Sequence, residues 1–531
     1  MLAAPRRAPG RRGTPDHQDK TRRELVNTQT EAAGRPGIPP GEFLGHPKAL
    51  WQLSNIEMWE RFAFYGMRAL LAVYVATTFF GHLGDQANSQ ASLVYGGYTA
   101  LVYATGIVGG YVADHVLGYQ RSILLGALIM ASGLFVLLIE DLHWFLVGLA
   151  LVVAGNGLFK PNISAMIGKL YVPGDVRRDS GFTIFYMGIN LGAFIAPFIT
   201  AAWIGATWGL KWGFCAAAVG MILSTLFLEV AKRSLGVIGR PAEGKDGWGR
   251  FFLVGFAALL MAVAVYFLLS ASQILGWLLS GIMLALIVYF IASGIRSGDK
   301  VQMQRYIAMI ILFLANACFW ALFEQAGSSM NFFAREYVTP MYGSMETWQA
   351  GGFGIFQSLN PLYILLFAPV FAAFWPWLEK HGMNPSIPRK FSLGLIQVSL
   401  GFLLLVFAIS NFQNAAGLVP WIFLALCYLL HTTGELCLSP IGLSMVTKLA
   451  AEKETGMAMG GWFLSIAMAQ YVAGLIAAIA SGGGGGHGVE VGAGIGQYAE
   501  TYEMLFWVGL GFGLAYLLSA PLINKLMHGV K

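Results

Sequence analysis

The chain has 531 residues, of which 56% are hydrophobic, 14% aromatic and only 11% charged, with a mean hydropathy of +0.63. That balance excludes a water-soluble domain and describes a polytopic helical membrane protein. The formal net charge of +6 does not point to nucleic acid, because most Lys and Arg lie in the N-terminal tail and in short connections between apolar runs. Cys215, Cys318, Cys427 and Cys437 sit singly within apolar runs, so no disulfide framework, metal site, cofactor or redox chemistry is indicated.

In chain order, residues 1–48 are polar and rich in Pro, Gly and Arg, with no apolar core of a secretory signal. They read as a disordered cytoplasmic tail. The apolar runs that follow divide into about fourteen spans, starting near residues 50, 91, 121, 143, 180, 210, 250, 272, 304, 350, 390, 419, 455 and 500. Connections at 114–121, 177–178, 232–250, 296–305, 380–390 and 448–453 all carry Lys or Arg, whereas those at 81–90, 140–143, 270–273, 411–419 and 481–497 carry none. The alternation puts the first set, and both termini, in the cytoplasm.

The first span holds four charges, Glu57, Glu60, Arg61 and Arg68. On a helix these fall with Phe64 and Tyr65 within roughly 140° of arc. A charge at the bilayer centre costs at least about 2.5 to 3.5 kcal/mol, so this face must look into a protein interior or a wet cavity. The charged span at 304–331 opens a second group of six, and the pair near 250–294 lies between the groups without interior charge. Six plus two plus six predicts an all-α major facilitator fold. It has a six-helix bundle at 49–235, an inserted transmembrane hairpin with its linkers at 236–300 and a second bundle at 301–531. The stretch Gly110 to Arg121 resembles that superfamily's loop between spans 2 and 3.

Other buried polar residues then acquire places. Lys160, in Gly155-Asn156-Gly157-Leu158-Phe159-Lys160, is a cation in a span rather than part of a phosphate loop, since no strand precedes it. Tyr186 and Asn190 are spaced i, i+4. Trp320, Glu324 and Asn331 share a face of their span. Asn360-Pro361 marks a break that exposes backbone groups. Tyr428, His431, Glu435 and Ser439 share another face, with Trp462 in the next span.

Five motifs carry a family resemblance: Glu57-x-x-Glu60-Arg61-Phe62-x-Phe64-Tyr65-Gly66, Lys160-Pro161-Asn162, Phe185-Tyr186-x-x-Ile189-Asn190-x-Gly192, Phe319-Trp320-x-x-x-Glu324-Gln325 and Gly434-Glu435-Leu436-x-Leu438-Ser439-Pro440. They closely resemble those of the proton-coupled oligopeptide transporters, from about Pro47 to the C-terminus, and the inserted pair looks like the bacterial branch. Phe64 departs from the family's usual tyrosine. Gly96 stands where animal members have a histidine, so no histidine proton site is expected there.

The resemblance implies that Arg61 and Lys160 receive a peptide carboxylate, with Tyr65 and Tyr98 lining the pocket and Tyr186 beside them. Asn190, Asn360 and Glu435 would hold the amino terminus, with Ser439 near Glu435 and Trp320 and Trp462 shaping side-chain pockets. Glu57 and Glu60 with Arg61 and Lys160, and an Arg68–Glu324 pair that also borders the substrate, would serve proton coupling. By charge alone, four buried carboxylates face three cations, Arg61, Arg68 and Lys160. The excess carboxylate can take up a proton and free a cation for substrate.

The expected function is proton-coupled import of di- and tripeptides across the plasma membrane by alternating access. The expected protein is no enzyme, works as a monomer in the bilayer and uses neither cofactor nor nucleic acid. A nitrate or other small-anion symporter is the alternative within the fold, which Glu435 disfavours. A membrane redox enzyme would need paired intramembrane histidines, and only His431 lies deep in a span.

Overall fold

Lipid offers the backbone no hydrogen-bond partner, so each apolar run satisfies its own N–H and C=O groups as a helix. The computed structural model describes residues 41–172, 174–241, 247–482 and 494–530. Its long helices are α1 (Lys48–Thr78), α2 (Ala87–Ala104) continued by α3 (Gly106–Val112), α4 (Tyr119–Val136), α5 (Leu142–Lys169), α6 (Arg178–Pro197) continued by a π-helical stretch (Phe198–Gly205), and α7 (Leu210–Leu235). They go on as α8 (Trp248–Ser270), α9 (Ser272–Ser297), α10 (Lys300–Phe323), α11 (Ser329–Tyr337), α12 (Leu359–Lys380), α13 (Ile387–Asn411), α14 (Trp421–Leu449), α15 (Thr455–Ala480) and α16 (Ile495–Leu526).

Among the described residues, thirteen helical segments are long and apolar enough to cross a membrane. The 31-residue α1 is outside that set because Glu57, Glu60, Arg61 and Arg68 lower its hydropathy. With α1 the expected fourteen is reached.

α1 is nonetheless buried on nearly every side. It packs along α6 and α7 where small residues let backbones approach. A Cβ on Gly192 would lie 2.1 Å from the Met58 carbonyl oxygen. Ser224 donates to the Ile56 carbonyl at 2.8 Å and Thr200 to that of Gly66 at 3.1 Å. α1 to α7 pack together, as do α10 to α16. We refer to these as the first and second groups, and to the side of the membrane bearing residues 41–47 as the near side.

The segment expected as a tail is structured at its end. Residues 1–40 lie outside the described residues, but Glu42–Phe43 and His46–Pro47 pair as a small antiparallel hairpin, and Lys48 already belongs to α1. Arg177 donates to Glu42 at 2.9 Å and to the Gly45 carbonyl at 3.2 Å, and His46 bonds the Tyr171 hydroxyl at 2.8 Å. Two-residue strands have no period for sequence reasoning to detect.

The break at Asn360-Pro361 is a change of helix type. A 3-10 segment (Gly352–Ser358) gives way to α12 at Leu359, and Pro361 sits in the first turn, where its missing N–H costs nothing. A second break, not expected, ends α10. The chain runs through a 3-10 turn (Glu324–Gly327) and non-helical Ser328 (φ −128°, ψ −94°) before α11. The freed Ala326 carbonyl accepts from Tyr428 at 3.3 Å and from Gln357.

Bonds that join the two groups cluster in the middle and far half. Asn331 donates to the Ala69 carbonyl at 3.0 Å, Asn88 to Glu336 at 3.0 Å, Ser358 to the Phe194 carbonyl at 2.8 Å and Tyr342 to the Ala202 carbonyl at 3.4 Å. On the near-side half of α6, Tyr186 is 40% and Met187 55% exposed.

Candidate functional site: a charged cavity between the two groups

The helical period of α1 brings its charges together. Arg61 sits one turn after Glu57, with Nε 3.3 Å from Glu57 Oε1. Arg61 also grips Glu60, Nη2 donating to Oε1 at 2.6 Å and Nε to Oε2. Asn156 of α5 approaches the same Glu60 oxygen at 3.4 Å. All three charged side chains are almost wholly buried. Glu57 Oε2 is buried without a hydrogen-bond partner. Phe64 lends Arg61 its ring face, 4.9 Å from the guanidinium.

Lys160 forms no direct ion pair among the described residues. Its ammonium lies 5.1 Å from the centre of the Tyr103 ring and feels Arg61, Glu60 and Glu57 electrostatically. Tyr103 was not singled out from the sequence, whereas Tyr98 was. Tyr98 is fully buried, its hydroxyl unpartnered, so Tyr103 supplies the aromatic face next to Lys160. Both tyrosines lie on α2, and which of them faces Lys160 is set by the packing of α2 against α5, which periodicity alone does not supply.

Arg68 joins the groups by an ion pair from Nη2 to Glu324 Oε2, and both side chains are buried. Its Nε donates to the Tyr95 hydroxyl at 2.7 Å, and the guanidinium stands 5.8 Å from the Tyr65 ring centre. Tyr95, 2% exposed, is a third member that sequence reasoning missed, since a tyrosine in an apolar run creates no charge anomaly.

In the second group, Asn360 donates to Glu435 Oε2 at 2.8 Å and to Thr432 at 3.1 Å. Glu435 lies within electrostatic range of Glu324 and Arg68, and of Tyr186 and Tyr65 across the cavity. Trp320 donates to Asn316 at 3.0 Å, which donates to Ser465 at 2.8 Å. Other residues sit differently from expectation. Asn190 donates to the Tyr186 carbonyl of its own helix at 2.9 Å. Trp462 is 4% exposed and packs near Phe313 and Phe391. His431 packs on Phe402 of α13, ring centres 4.9 Å apart. Ser439 lies on α14, its side chain outside the described residues.

The arrangement sets Arg61 and Lys160 on one wall and Glu435 on the other. Comparison with known proteins gives the family of the chain. The sequence model of the POT family matches residues 120–485. The chain belongs to the POT family. Among relatives, the peptide transporter YePEPT of Yersinia enterocolitica is 36% identical over 82% of this chain and 88% of its own. The dipeptide and tripeptide permease B of Aeromonas hydrophila is 31% identical over 93% and 96%. An uncharacterized transporter of Bacillus subtilis, YclF, is 35% identical over 93% and 97%. The crystal structure of peptide transporter POT with alafosfalin superposes with a TM-score of 0.77 at 35% identity, covering 93% of this chain and 98% of that one. As a POT-family protein, this chain is a multi-pass membrane transporter whose helix order follows that of the solved structures.

Proposed function

We propose that this chain is a proton-driven importer of di- and tripeptides, with both termini in the cytoplasm, working by alternating access between a bundle at 49–235 and one at 301–531. The observation that carries the reading is the opposition of Arg61 and Lys160 to an Asn360-held Glu435. A zwitterion fits between them, its carboxylate toward the cations and its ammonium toward Glu435. A nitrate-like anion leaves Glu435 without a partner and repels it.

Protons enter through the carboxylates. With Arg61 shared between Glu57 and Glu60, protonation of one glutamate loosens its hold on Arg61, which turns to the peptide carboxylate. Protonation of Glu324 releases Arg68, and the far side is free to open. Deprotonation toward the cytoplasm restores the ion pairs and expels the peptide. The near side thus corresponds to the cytoplasm and the far side to the exterior.

Uptake of labelled dialanine into proteoliposomes tests the reading. Accumulation is expected under an inward proton gradient and lost when a protonophore collapses it. Equal uptake with and without the gradient overturns proton coupling, and no peptide uptake in either condition overturns the substrate.

A further inference from the structure

The inserted hairpin has two limbs, and each is fastened to a different group. The buried residues of α8, Phe251, Val254, Ala258, Ala262, Val265 and Leu269, form one stripe at helical spacing. The stripe begins in a cluster with Leu117, Leu125 and Leu158 of the first group. Arg121 stands over the Trp248 ring at 5.2 Å, and His143 of α5 bonds the Tyr266 hydroxyl at 3.0 Å.

α9 turns its own stripe to the second group. Phe290 lies 5.2 Å from Tyr306, Gly276 abuts Tyr471, and Ser293 donates to Glu454 at 2.6 Å, with Tyr289 at 3.3 Å and Tyr306 on the same carboxylate. Detaching either limb breaks these polar contacts.

The limbs are joined on the far side by Ala271 alone. Two peptide units span at most about 7 Å, so Ser270 and Ser272 cannot part, whatever the groups do. Leu269 and Leu275, flanking that link, both pack over Gly97 of α2. One residue earlier, α2 crosses α15 of the other group so closely that a Cβ on Gly96 would lie 2.6 Å from the Gly474 Cα. This edge of the seam is therefore bridged by a hairpin whose two limbs are covalently joined.

The other edge is not. There, across α1, Ala201 of the π-helical stretch meets Gly351 and Gly354, and only hydrogen bonds cross, from Tyr342 to the Ala202 carbonyl at 3.4 Å and from Ser358 to the Phe194 carbonyl at 2.8 Å among the described residues.

We propose that the α8–α9 hairpin is a strap that pins the two groups along the α2–α15 edge. The far side then opens like a door hinged on that edge, and peptide enters between residues 198–205 and 351–358. The proposal rests on the alternating-access reading above.

Spin-label pairs in the full chain, with Cys215, Cys318, Cys427 and Cys437 replaced by alanine, test it. One pair, Gln90→Cys with Ile479→Cys, reports the strapped edge, and another, Thr207→Cys with Ser344→Cys, reports the open edge. Distances are read in proteoliposomes with and without dialanine and an inward proton gradient, in proteins that retain uptake. The expected result is that the open-edge distance lengthens at least about twice as much as the strapped one, as hinge motion requires. A flexible glycine-serine insertion beside Ala271 should then let the strapped edge widen to match. Equal lengthening at both edges in the uninterrupted chain overturns the strap. If neither pair moves while uptake proceeds, alternating access itself fails, and the proposal with it.

Discussion

Glu435 is the residue whose proposed role is most directly open to measurement. If its carboxylate receives the peptide's α-amino group, blocking that group leaves a buried charge without a partner, which costs about 3 to 5 kcal/mol. N-acetyl-dialanine is therefore expected to compete with labelled dialanine more than about a hundredfold more weakly than dialanine itself. Equal competition by the two removes Glu435 from the amino-terminal site. Tyr95 offers a second test. Tyr95→Phe takes the acceptor from Arg68 Nε and leaves a buried donor unsatisfied, at about 1 to 3 kcal/mol. Looser Arg68–Glu324 pairing should speed maleimide labelling of a cysteine at Ala76, buried on the far side, and Glu324→Gln should speed it further while uncoupling uptake from the gradient. Unchanged labelling in both variants rules the pair out as a gate. The charged members of this site were legible in the sequence because four charges in one span can face only inward. Tyr95, Tyr103 and Asn156 were not, because uncharged polar residues on an apolar helix look alike until the neighbouring helix is known.

At the scale of the element, all spans but one begin within about five residues of where the sequence put them, because length and hydropathy alone set a membrane helix; the exception is α12, placed near 350 and beginning at Leu359 after its 3-10 lead-in. What escaped was the interruption at Glu324 to Ser328. Its hydrogen bonds come from Gln357 and Tyr428, distant in sequence, so no local pattern announces it. The packing of α1 gives an expected outcome of its own. A side chain at position 192 collides with the Met58 carbonyl, backbone that has no room to yield. Gly192→Val should therefore push α6 from α1, destabilising by at least the 1 to 3 kcal/mol typical of overpacking. It should lower the Tm of the purified protein by several degrees. The conservative Gly192→Ala should fall between the variant and the parent, and an unchanged Tm for valine contradicts the close crossing.

For the whole molecule, the near side carries a clasp in which Arg177 bonds Asp175, Glu42 and the Gly45 carbonyl. Hydrogen bonds from Arg177 hold the Asp175 carboxyl below its ordinary range. A depressed carboxylate contributes stability that is present above its unfolded pKa and lost only as pH falls through the folded value. The contribution of Asp175 is thus constant between about pH 5 and 8. Asp175→Asn should leave the shape of the uptake profile over that window unchanged and cost under about 1 kcal/mol in stability, as partly exposed pairs do. A shifted profile means that the clasp takes part in coupling. This clasp was invisible in the sequence, where residues 41–47 merge with the tail, whereas the six-two-six order of spans was plain from the charges in the first and ninth.

The first helix has a consequence for how the chain is made. α1 leaves the ribosome before the spans that bury it, carrying Glu57, Glu60, Arg61 and Arg68, and those helices end only at Leu235. At translation rates of about 5 to 20 residues per second, the wait is on the order of ten seconds. Alone, α1 is too polar to settle in lipid, so the insertion machinery must shelter it until α6 and α7 arrive. Nascent chains cut short before α6 should leave α1 extractable by alkali, and chains that reach the end of α7 should hold it in the membrane.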